Sequence, residues 1–195
     1  GSTAVAKLAA AISSFTSNIF STEVGSSVDI SWSSTNATSC TASGSWTGSK
    51  STTGSETVEI STAGESTFTL TCNGEGGNAS RTITIEGYRN IQGVAVDGYI
   101  SGASIFIDTD SDYALDSNET STTSSTDGSF TIKYENGVLA SLGGQDVDTQ
   151  TQLNNLLLLR DLSGYSESSF MVTPVTSVAH FMPSQDIYTV LGLDS

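Results

Sequence analysis

The segment DTDSDYALDSNE, running from Asp108 to Glu119, sets acidic side chains at its first, third, fifth, ninth and twelfth positions. Carboxylates this close repel one another by about 1 kcal/mol per pair even in bulk water, so the segment needs either open solvent or a cation. Calcium takes six to eight oxygen ligands, and a twelve-residue loop supplies them from positions one, three, five, seven, nine and twelve. On this chain those positions are Asp108, Asp110, Asp112, the backbone carbonyl of Ala114, Asp116 and Glu119, the last able to bind through both oxygens. A solvated charge run has no reason to alternate acids with neutral residues and to close on Glu at the twelfth position. The spacing therefore predicts a calcium site, with Leu115 turned toward the core. Position six departs from the pattern: calcium loops favour glycine there because the turn needs a positive φ, and Tyr113 adopts it at a cost of about 1–2 kcal/mol. Without flanking amphipathic helices to move, the ion is expected to be structural.

Other chemistries find fewer partners. His180 is the only histidine and lies between Ala179 and Phe181. It lacks the second histidine of common zinc and hydrolase arrangements and is expected to be a packing or capping residue. No serine stands in a G-x-S-x-G elbow, and no cleft is marked for a carboxylate pair. The chain is expected not to be an enzyme. Cys40 and Cys72, the only cysteines, both fall in strand-like segments and read as one disulfide or as a pair of buried thiols. The acidic, Ser/Thr-rich setting favours the bridge. Trp32 alternates with core residues, whereas Trp46 stands in a turn-rich stretch and is the exposed candidate for stacking on a sugar.

These residues are positioned by two successive β-patterns. Six Lys and Arg against twenty-one Asp and Glu leave a net charge of −15, which opposes nucleic acid and anionic lipid as partners. No apolar run reaches the ~20 residues a membrane-spanning helix needs, so membrane insertion is not expected. From residue 11 to 87, short alternating segments such as SSVDISW, ATSCTAS, SETVEIS, STFTLTC and SRTITI are separated by Gly- and Asn-rich turns. A second pattern starts near residue 88, where Val94, Val96, Ile105 and Ile107 alternate as core positions. The run LNNLLLLRDL suits strand or helix and is assigned to strand by its neighbours. VTPVTSVAHFM and SQDIYTVLGL carry helical spacing, with Ser184 as the N-cap of the latter.

Residues 11–87 resemble the bacterial immunoglobulin-like domains of Gram-negative surface and secreted proteins, through GSSVDISWSSTNATSCTASGSWTGSK and TFTLTCNGEGGNASRTITI. Cys40 follows Trp32 by eight residues, which places the bridge one strand later than in antibody domains, joining the two sheets or adjacent strands. DGYISGASIFIDTDSDYALDSNETSTTSSTDGSFTI is similar to the calcium-binding B-type repeats of serine-aspartate adhesins and the related collagen-adhesin B-like, prealbumin-type modules. That resemblance implies a stalk or spacer role.

The expected fold is all-β: two β-sandwich modules, immunoglobulin-like and then prealbumin-like, with a short helical C-terminal segment. Residues 1–10 form a tail, 11–87 the first module, 88–182 the calcium-binding module and 183–195 the helical segment of a protein that continues further. The expected role is a structural or adhesive module of a bacterial cell-surface or secreted adhesin, monomeric, stiffened by calcium and a disulfide, with a surface glycan or protein as its class of ligand. The alternative is a carbohydrate-binding accessory module of an exported polysaccharide-degrading enzyme, with Trp46 meeting sugar.

Overall fold

A computed structural model describes residues 6–162 and 169–181; the expected helix at 183–195 and its cap Ser184 lie outside them. Among the described residues the architecture is all-β with one short helix, and the chain divides into two compact units, Gly1–Arg89 and Asn90–Ser195.

The first unit contains β1 (Ala11–Ser17), β2 (Ser21–Glu23), β3 (Ser27–Thr35), β4 (Ser39–Gly44), β5 (Gly48–Lys50), β6 (Thr53–Glu59), β7 (Gly64–Gly74) and β8 (Gly77–Tyr88). They form a three-stranded sheet, β1-β3-β6, and a five-stranded sheet, β2-β8-β7-β4-β5. Alternation decides the faces, because successive side chains of a strand point to opposite sides. Val28, Ile30 and Trp32 of β3 thus meet Ala42 of β4, Phe68 and Leu70 of β7 and Ile85 of β8 in one core. Cys40 and Cys72 stand directly opposite each other on β4 and β7 and are disulfide-bonded, so the bridge joins adjacent strands of one sheet.

Trp46 corrects the sequence reading. Its stretch is a turn, as Gly44 at φ 90° and Gly48 at φ 97° show, but the turn folds the indole beneath the sheet, leaving it 5% exposed. Trp46 Nε1 donates to the carbonyl of Thr69 at 3.1 Å, and its ring stacks on Phe15 at 5.8 Å and meets Trp32 and Phe68 edge-on. Lys50 Nζ lies 4.8 Å from the same ring and pairs with Glu56, capping the cluster. Glycine at 44 and 48 adopts the left-handed backbone this reversal needs.

The second unit contains β9 (Asn90–Ala95), β10 (Ile100–Ser101), β11 (Ser104–Asp108), β12 (Ser121–Thr123), β13 (Ser129–Lys133), β14 (Val138–Leu142), β15 (Gln145–Asp146), β16 (Leu157–Asp161), β17 (Ser169–Val172) and α1 (Pro174–Phe181). Sheets β12-β11-β14-β16 and β13-β9-β17 enclose a core to which Ile105, Ile107, Leu139 and Leu158 contribute from one side and Ile91, Phe130, Ile132 and Phe170 from the other. Three residues of the four-leucine run, Leu157, Leu158 and Leu159, open strand β16, in line with the strand assignment. In β9 the phase is one residue off the expectation: Ile91, Gly93 and Ala95 face inward, while Val94 and Val96 are half-buried. The Phe130 ring fills the space at Gly93, where a Cβ would lie 2.4 Å from Cζ. A bulky residue on the inward phase would displace it.

β11 is buried on both faces. Phe106 joins Val138, Ala140 and Leu159 in a second cluster on the opposite side of its sheet. α1 packs against β16, with Ser177 Oγ accepting the Leu159 amide at 2.8 Å. Its start is fixed by Pro174 at the first helical position and by reciprocal bonds between Thr173 and Thr176, each accepting the other's amide on its side-chain oxygen.

Candidate metal centre

The loop of interest leaves the end of β11 and returns to β12, so its first residue is held by a sheet. Asp108 is the last residue of β11 and is 1% exposed. Gly137, just before β14, allows the approach of the two backbones there: a Cβ would lie 2.4 Å from the Asp108 carbonyl oxygen.

From that anchor the loop coils around its own carboxylates. Asp108 Oδ1 accepts the amides of Asp110 at 3.2 Å and Ser111 at 2.6 Å, and its Oδ2 accepts that of Tyr113 at 3.0 Å. Asp110 Oδ1 accepts the amide of Asp112, and Asp112 Oδ1 that of Ala114. Asp108, Asp110 and Asp112 thereby each cap a turn of the loop with a carboxylate oxygen. One carboxylate oxygen each from Asp108, Asp110 and Asp112 lie within 4.8 Å of one another. Tyr113 takes φ 61°, the left-handed conformation its position calls for, and Ser111 joins it at φ 69°, which the sequence did not reveal.

The remaining sequence-derived ligands are placed differently. Glu119 is buried and closes the loop rather than joining the cluster: Oε1 accepts the Thr109 amide at 2.8 Å and Oε2 the Asp116 amide at 3.1 Å. Asp116 stands on the loop between them, outside the three-carboxylate group. Leu115, expected to point into the core, is 42% exposed, because Tyr113 takes the place against Phe106 and Leu159 instead. The carboxyl of Asp110 is raised from its ordinary range, first by desolvation and then by the charges of Asp112, Asp116 and Asp108, with the Asp112 amide pulling the other way.

As a donor set this is all oxygen and mostly anionic, which suits a hard cation such as calcium and offers neither thiolate nor imidazole to zinc. His180 meets the loop through Tyr113, with Nε2 3.2 Å from Tyr113 Oη. Nothing in the sequence links two residues 67 positions apart; only the fold brings them together.

No protein-family model matches the chain, and no curated protein sequence matches it. Among solved structures it is similar to the three N-terminal domains of the bacteriophage RB49 Highly Immunogenic Outer Capsid protein (Hoc), with 13% identity and a TM-score of 0.31 over 83% of this chain and 68% of that one. It is also similar to the Bacillus anthracis TIE protein, with 10% identity and a TM-score of 0.25 over 84% of this chain. The chain spans 41% of the length of that TIE structure.

Proposed function

We propose that this chain is a non-enzymatic structural module of a bacterial cell-surface or secreted adhesin, in which calcium held by residues 108–119 stiffens the second unit. The observation that carries the reading is the convergence of the Asp108, Asp110 and Asp112 oxygens within 4.8 Å. Three anionic oxygens at that separation destabilise the loop when alone and hold it together when they share a divalent ion. Ala114, Asp116 and Glu119 offer the further oxygens within the same twelve residues. The ion supplies charge neutralisation and a rigid centre. The chain supplies the buried anchor Asp108 and the amides that orient its carboxylate.

The Cys40–Cys72 bridge supports an oxidising, extracellular setting. No described helix is long and apolar enough to cross a membrane. The burial of Trp46 removes the residue on which the carbohydrate-binding alternative stood. In the adhesin reading the module spaces or presents other parts of a surface protein toward a glycan or protein ligand. Limited proteolysis and small-angle scattering of the chain, in millimolar calcium and in chelator, test the reading. Calcium is expected to protect residues 108–150 from cleavage and to contract the scattering envelope; identical digests and curves would refute stiffening.

A further inference from the structure

We infer that Tyr113 and His180 form a latch through which ion occupancy of the loop controls how tightly α1 is held, an inference that rests on the calcium reading. Tyr113 Oη lies 3.2 Å from His180 Nε2, and the two rings meet edge to face with centroids 5.8 Å apart. His180 stands in the last turn of α1, so the contact ties the helix end to the loop. At its other end Tyr113 is tied to the carboxylate that begins the loop, its amide donating to Asp108 Oδ2 at 3.0 Å. Its side chain rests on the cluster of Phe106, Val138, Ala140 and Leu159.

Among the described residues, two side-chain hydrogen bonds fasten the helix to the rest of the unit. Ser177 fixes it to β16, and His180 fixes it to the loop. Repulsion among Asp108, Asp110 and Asp112 loosens the ion-free loop, which holds the Tyr113 backbone through the Asp108 carboxylate; an ion that gathers the carboxylates fixes that backbone and hence the ring. The latch also accounts for tyrosine at position six. Glycine would relieve the left-handed backbone at φ 61° but has no ring to reach the helix.

Two readouts on the full chain test the latch: calcium affinity by calorimetry, and amide exchange of residues 174–181 with calcium or chelator. Losing one hydrogen-bonded contact corresponds to a change of about two- to tenfold in local opening, so calcium should slow exchange in α1 by that factor. Coupling is reciprocal, so His180→Ala should weaken calcium binding by the same factor while abolishing the slowing, and Tyr113→Phe, which keeps the ring, should do both to a smaller extent. Calcium binding with unchanged α1 exchange, or a His180→Ala variant that binds as tightly as wild type, would overturn the latch and leave the calcium reading standing. Absence of calcium binding to the wild-type chain would overturn both.

Discussion

Replacing Asp108 and Asp112 separately by alanine divides what the loop does for the fold from what it does for an ion. Asp108 is 1% exposed and accepts three backbone amides, from Asp110, Ser111 and Tyr113. Each hydrogen bond to a charged group contributes about 1.5–3 kcal/mol, and three sharing one carboxylate fall short of additivity, so Asp108→Ala should cost about 2–4 kcal/mol in chelator. Asp112 is exposed and accepts one amide, from Ala114 at 2.8 Å. Its replacement should cost about 1 kcal/mol or less without metal. In calcium at a hundred times its Kd, the wild-type chain gains about 2.7 kcal/mol, a rise of about 10–20 °C in the melting of a unit of about 100 residues. Both variants should lose that rise. Thermal melts followed by circular dichroism, in chelator and in calcium, give all six values. An Asp112→Ala chain that keeps the calcium increment, or an Asp108→Ala chain that melts with wild type in chelator, would refute the reasoning.

Trp46→Ala should destabilise the first unit by about 3–5 kcal/mol, since it empties a site bounded by Phe15, Trp32 and Phe68 and orphans the Thr69 carbonyl; a urea midpoint within error of wild type would place the indole outside the core. Cys72→Ser opens a closure spanning 32 positions and should cost about 3–4 kcal/mol, confined to the transition of the first unit; a loss in both transitions would contradict two independent cores. Asp127 is held below its ordinary pKa chiefly by the Ser129 hydroxyl and amide, and Asp146 chiefly by the Thr149 amide. A folded pKa lowered from 3.8 gives stability that is fully present above that pH and lost as the pH falls through the folded value. Acid titrations of the Asp127→Asn and Asp146→Asn variants should therefore be flatter than wild type below that pH, and parallel curves would count against both turns.

Alternation carries much of the fold in sequence. Val28, Ile30 and Trp32, and Phe68, Leu70 and Cys72, lie on the faces their period of two assigns, and the leucine run forms a strand because it must pair within an otherwise β unit. Two misreadings have a common cause. The turn around Trp46 was legible from its glycines, but turn composition reports backbone angles, not whether the chain curls outward or under the sheet. In β9 the valines mark a strand, yet the phase is decided by Phe130, a residue on another strand that requires the inward position to be glycine. The loop shows the same division. Its odd-position acids and the left-handed sixth residue follow from local chemistry, whereas the inward turn of Tyr113, the exposure of Leu115 and the contact with His180 depend on β14, β16 and α1.

Charge is distributed so as to make the loop sensitive to the kind of salt, not only its amount. The first unit holds seven acidic and four basic residues, the second fourteen and two. Sodium chloride weakens repulsion among dispersed acids, because at physiological ionic strength the Debye length is about 8 Å and exposed charges further apart than that are largely screened. The three loop oxygens sit within 4.8 Å, inside that length, so their repulsion survives the same salt. A bound divalent ion acts at contact distance and removes it. At matched ionic strength calcium chloride should therefore raise the melting temperature of the second unit well beyond sodium chloride, and Asp112→Ala should bring the two salts to the same curve, since the dispersed acids remain while the cluster is broken. Sodium chloride that reproduces the full calcium effect in the wild-type chain would mean that residues 108–119 respond to bulk screening alone.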